Sequence, residues 1–339
     1  MLDFHFWPRR PPVAETRYVV STRPTGIGDR LASLAAAWRF ARNTRRTLVA
    51  DWRFGGAVAG FRNDFAACFE PMPEIMGVRF IADRHVPASA LPQPRYPRLW
   101  DDDRLVEVPA LRRGSVLRDQ RKAVAMIRRQ RDVPANTVVF DGCINDGLVD
   151  LAEARSFYAA LRPNPSVAAA VESFRLAHLR GPTIGLHVRH GNGGDIMNHA
   201  ISWQPESAAL ERCVAAVAHA RSVAGRDAVV FLATDSPRVE AWVTARIANV
   251  VTRPKTFRPD GAGELHHGDD PRAHIADAMT DMLLLAQCDF VVRYPAGSFF
   301  SLYAAIRLSA HYPGGATVYD LLKPWNGDPF GAAVIGPGV

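Results

Sequence analysis

The chain has 339 residues, of which 48% are hydrophobic and 22% charged. That balance excludes a disordered, collagenous or coiled-coil chain, and the length suits two domains. Lysine plus arginine total 41 against 34 acidic residues, a formal net charge of +7, yet Lys122, Lys255 and Lys323 are the only lysines.

In chain order, residues 17–21 (RYVVS) read as a short strand, 25–29 (TGIGD) as a turn and 31–44 as an alanine-rich helix. Residues 47–51 (TLVAD) form a second strand. Together these make one β-turn-α-β unit, the building block of a parallel sheet. The stretch 53–109 is rich in proline and glycine without a clear period, and is expected to be mostly loop with short elements. A strand lies within 133–141 and a helix at 151–161. Pro163 and Pro165 then interrupt the chain and mark the expected domain boundary, with a helix following to about residue 179. Strands at 183–188, 228–233 and 289–293 alternate with helices at 207–223, 237–247 and 275–287, and one more helix begins near Phe299. Such alternation implies a doubly wound α/β domain. The chain therefore reads as two consecutive α/β domains.

The basic excess makes nucleic acid or an anionic membrane surface conceivable. No basic stripe with interleaved aromatics and no reader motif is present, so no nucleic-acid partner is expected. Arginine dominance has two readings, a compositional preference or a need for forked donors at a phosphate or carboxylate site. Cys68, Cys143, Cys213 and Cys288 lie far apart with no CxxC, as buried thiols of a reduced compartment do. The start (MLDFHFWPRRPP) lacks an apolar signal core, and no stretch approaches 18 uncharged apolar residues. A cytoplasmic protein without a transmembrane segment is the expectation.

Open α/β sheets bind ligands beyond the carboxyl ends of their strands. Three strands of the second domain end in polar residues suited to that. The first runs into His187, Arg189, His190, Gly191 and Asn192; the second into Thr234, Asp235 and Ser236; the third through Arg293 to Gly297 and Ser298. Small residues before a helix start present free N–H groups to an anion, and a neighbouring arginine adds a bidentate fork. These features converge on a phosphorylated ligand. Thr234-Asp235-Ser236 is equally a helix N-cap. Asp277 and Asp281 share a helix face, and the solvated reading suits Asp277 better, because Asp281 adjoins the apolar run MLLLA.

Other signals point elsewhere. Gly26-Ile27-Gly28 is followed by Leu31, so the dinucleotide fingerprint is incomplete. Asp101-Asp102-Asp103 contains a DxD string but follows PRYPRLW rather than a strand, which favours a solvated acidic turn. His266-His267 and Asp269-Asp270 sit in a glycine-rich loop without a scaffold for one ion. No G-x-S-x-G nucleophile motif occurs.

Residues 185–203 (GLHVRHGNGGDIMNHAISW) closely resemble the signature of the nodulation protein Z (NodZ) family, rhizobial α-1,6-fucosyltransferases that decorate lipo-chitooligosaccharides. The likeness continues in 25–53, in 231–236 (FLATDS), in 254–265 (PKTFRPDGAGEL) and in 278–303 (AMTDMLLLAQCDFVVRYPAGSFFSLY). The resemblance implies a GT-B-type α/β fold of two Rossmann-like domains facing a cleft. Residues 1–165 would form the acceptor-side domain and 166–310 the GDP-sugar domain, with 311–339 packing back on the first. It further implies transfer of fucose from GDP-fucose to an oligosaccharide or lipo-chitooligosaccharide-like acceptor, at O6 of GlcNAc, inverting at the anomeric carbon and without a metal. Peripheral contact with a membrane is compatible with such an acceptor.

By the same resemblance, Arg189 binds the β-phosphate with His187 and His190 beside it. Asp281 reads the guanine, and Ser298, Phe299 and Phe300 form the turn that holds the diphosphate. Gly191, Asn192, Thr234 and Asp235 complete the donor side. Arg189 is the expected catalytic residue, with Asp195 and His190 as candidates for a base and Arg293 as a second phosphate candidate. The chain departs from the family pattern at Gly194, where a glutamate is usual, at Asn198, and in Ala200-Ile201-Ser202-Trp203, where A-P-Y-W is usual. Those departures leave open another GDP-deoxyhexose on a surface polysaccharide, or a catalytically silent sugar-nucleotide-binding protein.

Overall fold

Runs of β-branched and apolar residues form the central strands of two six-stranded sheets in a computed structural model. It describes residues 16–22, 26–52, 65–82, 91–96, 101, 132–140, 151–190, 207–257, 271–294, 299–311, 316–320 and 332–335. The chain divides into two units. One comprises Met1–Thr25, Arg30–Ala66 and Pro71–Asp150, the other Gly26–Asp29, Ala67–Glu70 and Leu151–Val339.

The first unit contains β1 (Tyr18–Ser21), most of α1 (Ile27–Thr44), β2 (Thr47–Ala50), β3 (Glu74–Ile75), β4 (Val78–Ala82), β5 (Arg95–Tyr96) and β6 (Thr137–Phe140). The short helix α2 (Phe65–Cys68) straddles the division. Strand order is β3-β4-β2-β1-β6-β5, parallel throughout except for the β3–β4 hairpin. Helix α1 begins at Ile27, four residues before the sequence reading, so the TGIGD segment is partly helical. Asp29 in the first turn complements the helix dipole, which favours that early start.

Arg46 staples this unit. Its fully buried guanidinium donates to Asp132 and to the carbonyls of Val133, Ala135 and Asn136 at 2.8–3.2 Å. Those groups form the segment entering β6, so one side chain ties α1's exit to a distant strand. Burial lowers the pKa of Arg46, opposed by Asp132. Burial works against the Asp132 carboxylate, but its hydrogen bonds from Arg46 and Arg17 hold its pKa below the ordinary value. Asp101 accepts from the Arg95 amide at 2.7 Å, which gives the first residue of the DxD string a backbone-capping role.

The second unit contains α3 (Leu151–Ala160), α4 (Pro165–His178), β7 (Thr183–Val188), α5 (Ser207–Ala224), β8 (Val229–Thr234), α6 (Pro237–Thr244), β9 (Val250–Val251), α7 (Pro271–Leu285), β10 (Phe290–Tyr294), α8 (Phe299–His311), β11 (Ala316–Asp320) and β12 (Ala332–Ile335). Strand order is β12-β11-β10-β7-β8-β9, with only β11–β12 antiparallel. All six residues of β7 are buried, as a central parallel strand covered on both faces requires. Ile184, Leu186 and Val188 share one core with Leu210, Val217 and Ala220 of α5 and Val239 and Val243 of α6. On the opposite face Phe231 meets Phe174 of α4 edge-on, with ring centroids 5.6 Å apart. Gly185 lies against Leu285 and Cys288, so close that a Cβ there would stand 2.9 Å from the Leu285 side chain.

Two domain expectations are corrected. The proline pair is a helix start rather than a boundary: Pro165 occupies the first turn of α4, where its fixed φ is suited, and Asn164 caps the Ser166 amide. The division falls instead at Asp150/Leu151. Helix α3 joins the second unit because Tyr158 packs on Tyr303 of α8, with centroids 4.6 Å apart, and its carbonyl accepts from Arg307. The stretch 311–339 belongs to the second unit, where its described residues 316–320 and 332–335 form β11 and β12 of the sheet. An open edge on β10 presents unpaired backbone groups, and β11 satisfies them.

Candidate functional site

β8 and β10 flank β7 on opposite sides, and the chain leaves β7 toward β8 and β9 before returning to β10. The carboxyl ends of β7 and β10 thus form a topological switch point, where open α/β sheets bind ligands. His187 pairs across to Arg293 of β10 and to Ala233 of β8, and Val188 to Tyr294 and Thr234. Two further bonds pin the exit of β7. The Arg189 amide donates to the Tyr294 carbonyl at 2.9 Å, and the His190 amide to Asp235 Oδ1 at 2.7 Å.

His187 is buried, and its imidazole stacks on Phe300 of α8 with centroids 4.9 Å apart and planes 26° from parallel. Its Nδ1 has no hydrogen-bond partner among the described residues. Burial, then the positive charges of Arg189, Arg293 and Lys255, push its pKa down to about 3. The ring is therefore neutral at pH 7. Arg293 is also buried, and its Nε donates to Ser301 Oγ at 3.1 Å. Three cations consequently bear on one neutral ring beside the start of α8, whose first amides lack intrahelical partners. Such a place suits an anion.

A second cluster adjoins it. Asp281 of α7 is buried and accepts from Lys255 Nζ at 2.6 Å and from Arg253 at 3.0 Å. Lys255 also donates to the Thr234 carbonyl at the end of β8, at 3.2 Å. Arg253 reaches the half-exposed Asp277 at 2.7 Å. Burial opposes the Arg253 charge, but Asp281 and Asp277 hold its pKa above the ordinary value.

The structure places His187, Arg189, His190, Thr234, Asp235, Asp281 and Phe300 at or beside these strand ends, and Phe299 opens α8. Gly191, Asn192, Asp195 and Ser298 lie outside the described residues, as do His266, His267, Asp269 and Asp270. In the segment read either as an N-cap or as ligand contacts, Ser236 is the cap, accepting from the Val239 amide. Asp235 instead holds the exit of β7. Arg253 and Lys255 were not anticipated. The available signal was compositional: Lys255 is one of three lysines in a chain with 38 arginines. Among the described residues no three His, Cys, Asp or Glu side chains gather as a ligand set, and no helix is long and apolar enough to cross a membrane.

A doubly wound unit with a cationic switch point is the architecture of a protein that binds an anionic, nucleotide-type ligand. The nodulation protein Z (NodZ) family model matches residues 15–311, and the chain belongs to that family of glycosyltransferases. Nodulation protein Z of Sinorhizobium fredii is 38% identical over 294 residues, covering 86% of this chain and 90% of that one. Its counterpart from Bradyrhizobium diazoefficiens is 39% identical over 296 residues, covering 86% and 79%. Among solved structures, a NodZ α-1,6-fucosyltransferase soaked with GDP-fucose superposes with a TM-score of 0.74 at 28% identity, over 95% of this chain and 100% of that one. The chain is an α-1,6-fucosyltransferase-like enzyme with a GT-B-type fold.

Proposed function

We propose that this enzyme transfers fucose from GDP-fucose to an oligosaccharide hydroxyl, inverting at the anomeric carbon, with O6 of a GlcNAc residue as the acceptor position. The observation carrying this reading is that Arg293 pairs with His187 across β7 and β10 and Arg189 follows at the exit of β7, since two arginines at one switch point match a diphosphate. Family membership supports fucose as the sugar.

As the fucosyl–phosphate bond breaks, positive charge develops on the sugar ring and negative charge on GDP. Arg189, whose backbone is pinned to the Tyr294 carbonyl, and the first amides of α8 stabilise that charge most in the transition state. In this reading Gly191, Asn192 and Ser298 extend the phosphate cradle, Thr234 and Asp235 bound it, and Phe300 supports His187. Asp281 reads the guanine edge, and Asp195 and His190 are the candidate bases for the acceptor hydroxyl. The positive side chains offset the diphosphate charge without a metal. The three buried thiols at Cys68, Cys213 and Cys288 support a reducing, cytoplasmic setting.

Gly194, where a glutamate is usual, favours one competing reading, a catalytically silent sugar-nucleotide-binding protein. Turnover of GDP-fucose against a panel of acceptor oligosaccharides, chitooligosaccharides included, separates these. Arg189→Ala is expected to lower fucosyl transfer by about 100–1000-fold while the chain still folds. Near-normal turnover by that variant overturns the assignment.

A further inference from the structure

We propose that Lys255 is a positioning residue for nucleotide recognition: its ammonium locks the Asp281 carboxylate to the end of β8, and Arg253 completes the clamp. The inference rests on the reading that this site holds a guanine nucleotide. Asp281 is buried, with 9% of its side chain exposed, and such a carboxylate is costly to bury without partners. Each of its oxygens has its own cation. Arg253 takes Oδ1 and Lys255 takes Oδ2, and those two side chains are only 12% and 8% exposed.

This arrangement fixes the carboxylate plane. A carboxylate offers about four acceptor sites, so the two cations leave lone pairs free for a base edge with two donors. A carboxylate that cannot rotate loses no freedom when that edge arrives. Lys255 adds the link that Arg253 lacks. By also donating to the Thr234 carbonyl, it joins α7 to the strand end beside His187. The two positive and two negative side chains of the cluster (Arg253, Lys255, Asp277 and Asp281) cancel one another. The excess positive charge therefore stays with Arg189 and Arg293 at the switch point.

The residue type agrees with this task. A guanidinium presents its donors in one plane, whereas a compact ammonium directs them tetrahedrally to a carbonyl and a carboxylate on different elements. Arginine fills 38 of 41 basic positions, so a lysine here departs from the chain's own composition.

Calorimetric titration of the full chain with GDP and with ADP tests the proposal through the ratio of the two affinities. Lys255→Met is expected to weaken GDP tenfold or more and ADP less than twofold, so the preference collapses. Arg189→Ala, acting on the phosphates, is expected to weaken both nucleotides alike and keep the ratio. A role confined to stability lowers the melting temperature without moving the ratio. A folded Lys255→Met with the wild-type ratio overturns the proposal. If that variant does not fold, Lys255→Arg retains the charge and is read the same way: a lowered ratio supports the need for a compact ammonium, and a wild-type ratio overturns it. A wild-type protein without preference for GDP overturns the guanine reading itself, a result distinct from either variant outcome.

Discussion

Acidification is expected to destabilise the second unit through His187. Burial and the neighbouring charges of Arg189, Arg293 and Lys255 push its pKa from 6.5 down to about 3. In the unfolded chain the imidazole takes up a proton as pH falls through 6.5, whereas the folded ring stays neutral until about pH 3. Between those values the unfolded state binds the additional proton, so stability falls as pH falls. The slope is about 1.4 kcal/mol per pH unit, and the loss from this group between pH 7 and pH 5 is about 2 kcal/mol. Urea unfolding of the wild type and of His187→Gln at pH 7, 6 and 5 isolates the effect, because every other titrating group is common to both proteins. The variant is expected to lose about 2 kcal/mol less over that range. Equal losses in the two proteins, or a His187 imidazole titrating near 6.5 by NMR, refute the reasoning.

Arg46→Lys is expected to destabilise the first unit by about 1–3 kcal/mol in urea unfolding, because the three donors of an ammonium cannot serve Asp132 and all three carbonyls at Val133, Ala135 and Asn136 that the guanidinium reaches. A loss below 0.5 kcal/mol contradicts the staple. Gly185→Ala is expected to cost about 1–3 kcal/mol, since its Cβ would overlap the buried Leu285 side chain. An unchanged melting temperature shows that α7 shifts freely away from β7.

Much of the architecture was legible because parallel sheets write themselves as short apolar runs. The six strands read from sequence are all present, with 183–188 matched to the residue. Short strands β3, β5 and β9 escaped, since two residues carry no run to register, and β4 escaped because it lies in the proline- and glycine-rich stretch read as mostly loop. β11 and the edge strand β12 escaped for another reason: what makes β11 a strand is the open edge of β10, and what makes β12 one is β11, partners invisible in their own composition. Pro165 misled because proline marks both a chain break and a helix start, and Asn164 decides between them only through the cap geometry. At the site, HVRH and TDS were legible as strand ends. Arg253 and Lys255 were not, because their role depends on a carboxylate 26 or more residues away in sequence.

The sequence alone determined the α/β alternation, the polar strand ends and the family resemblance, all of which are local patterns with a fixed period or spacing. Tertiary structure decided which strand ends become neighbours, and hence that His187 meets Arg293 across β7 and β10. It also decided that one lysine among three holds a buried carboxylate. Charges act through space, and only the folded sheet sets their distances.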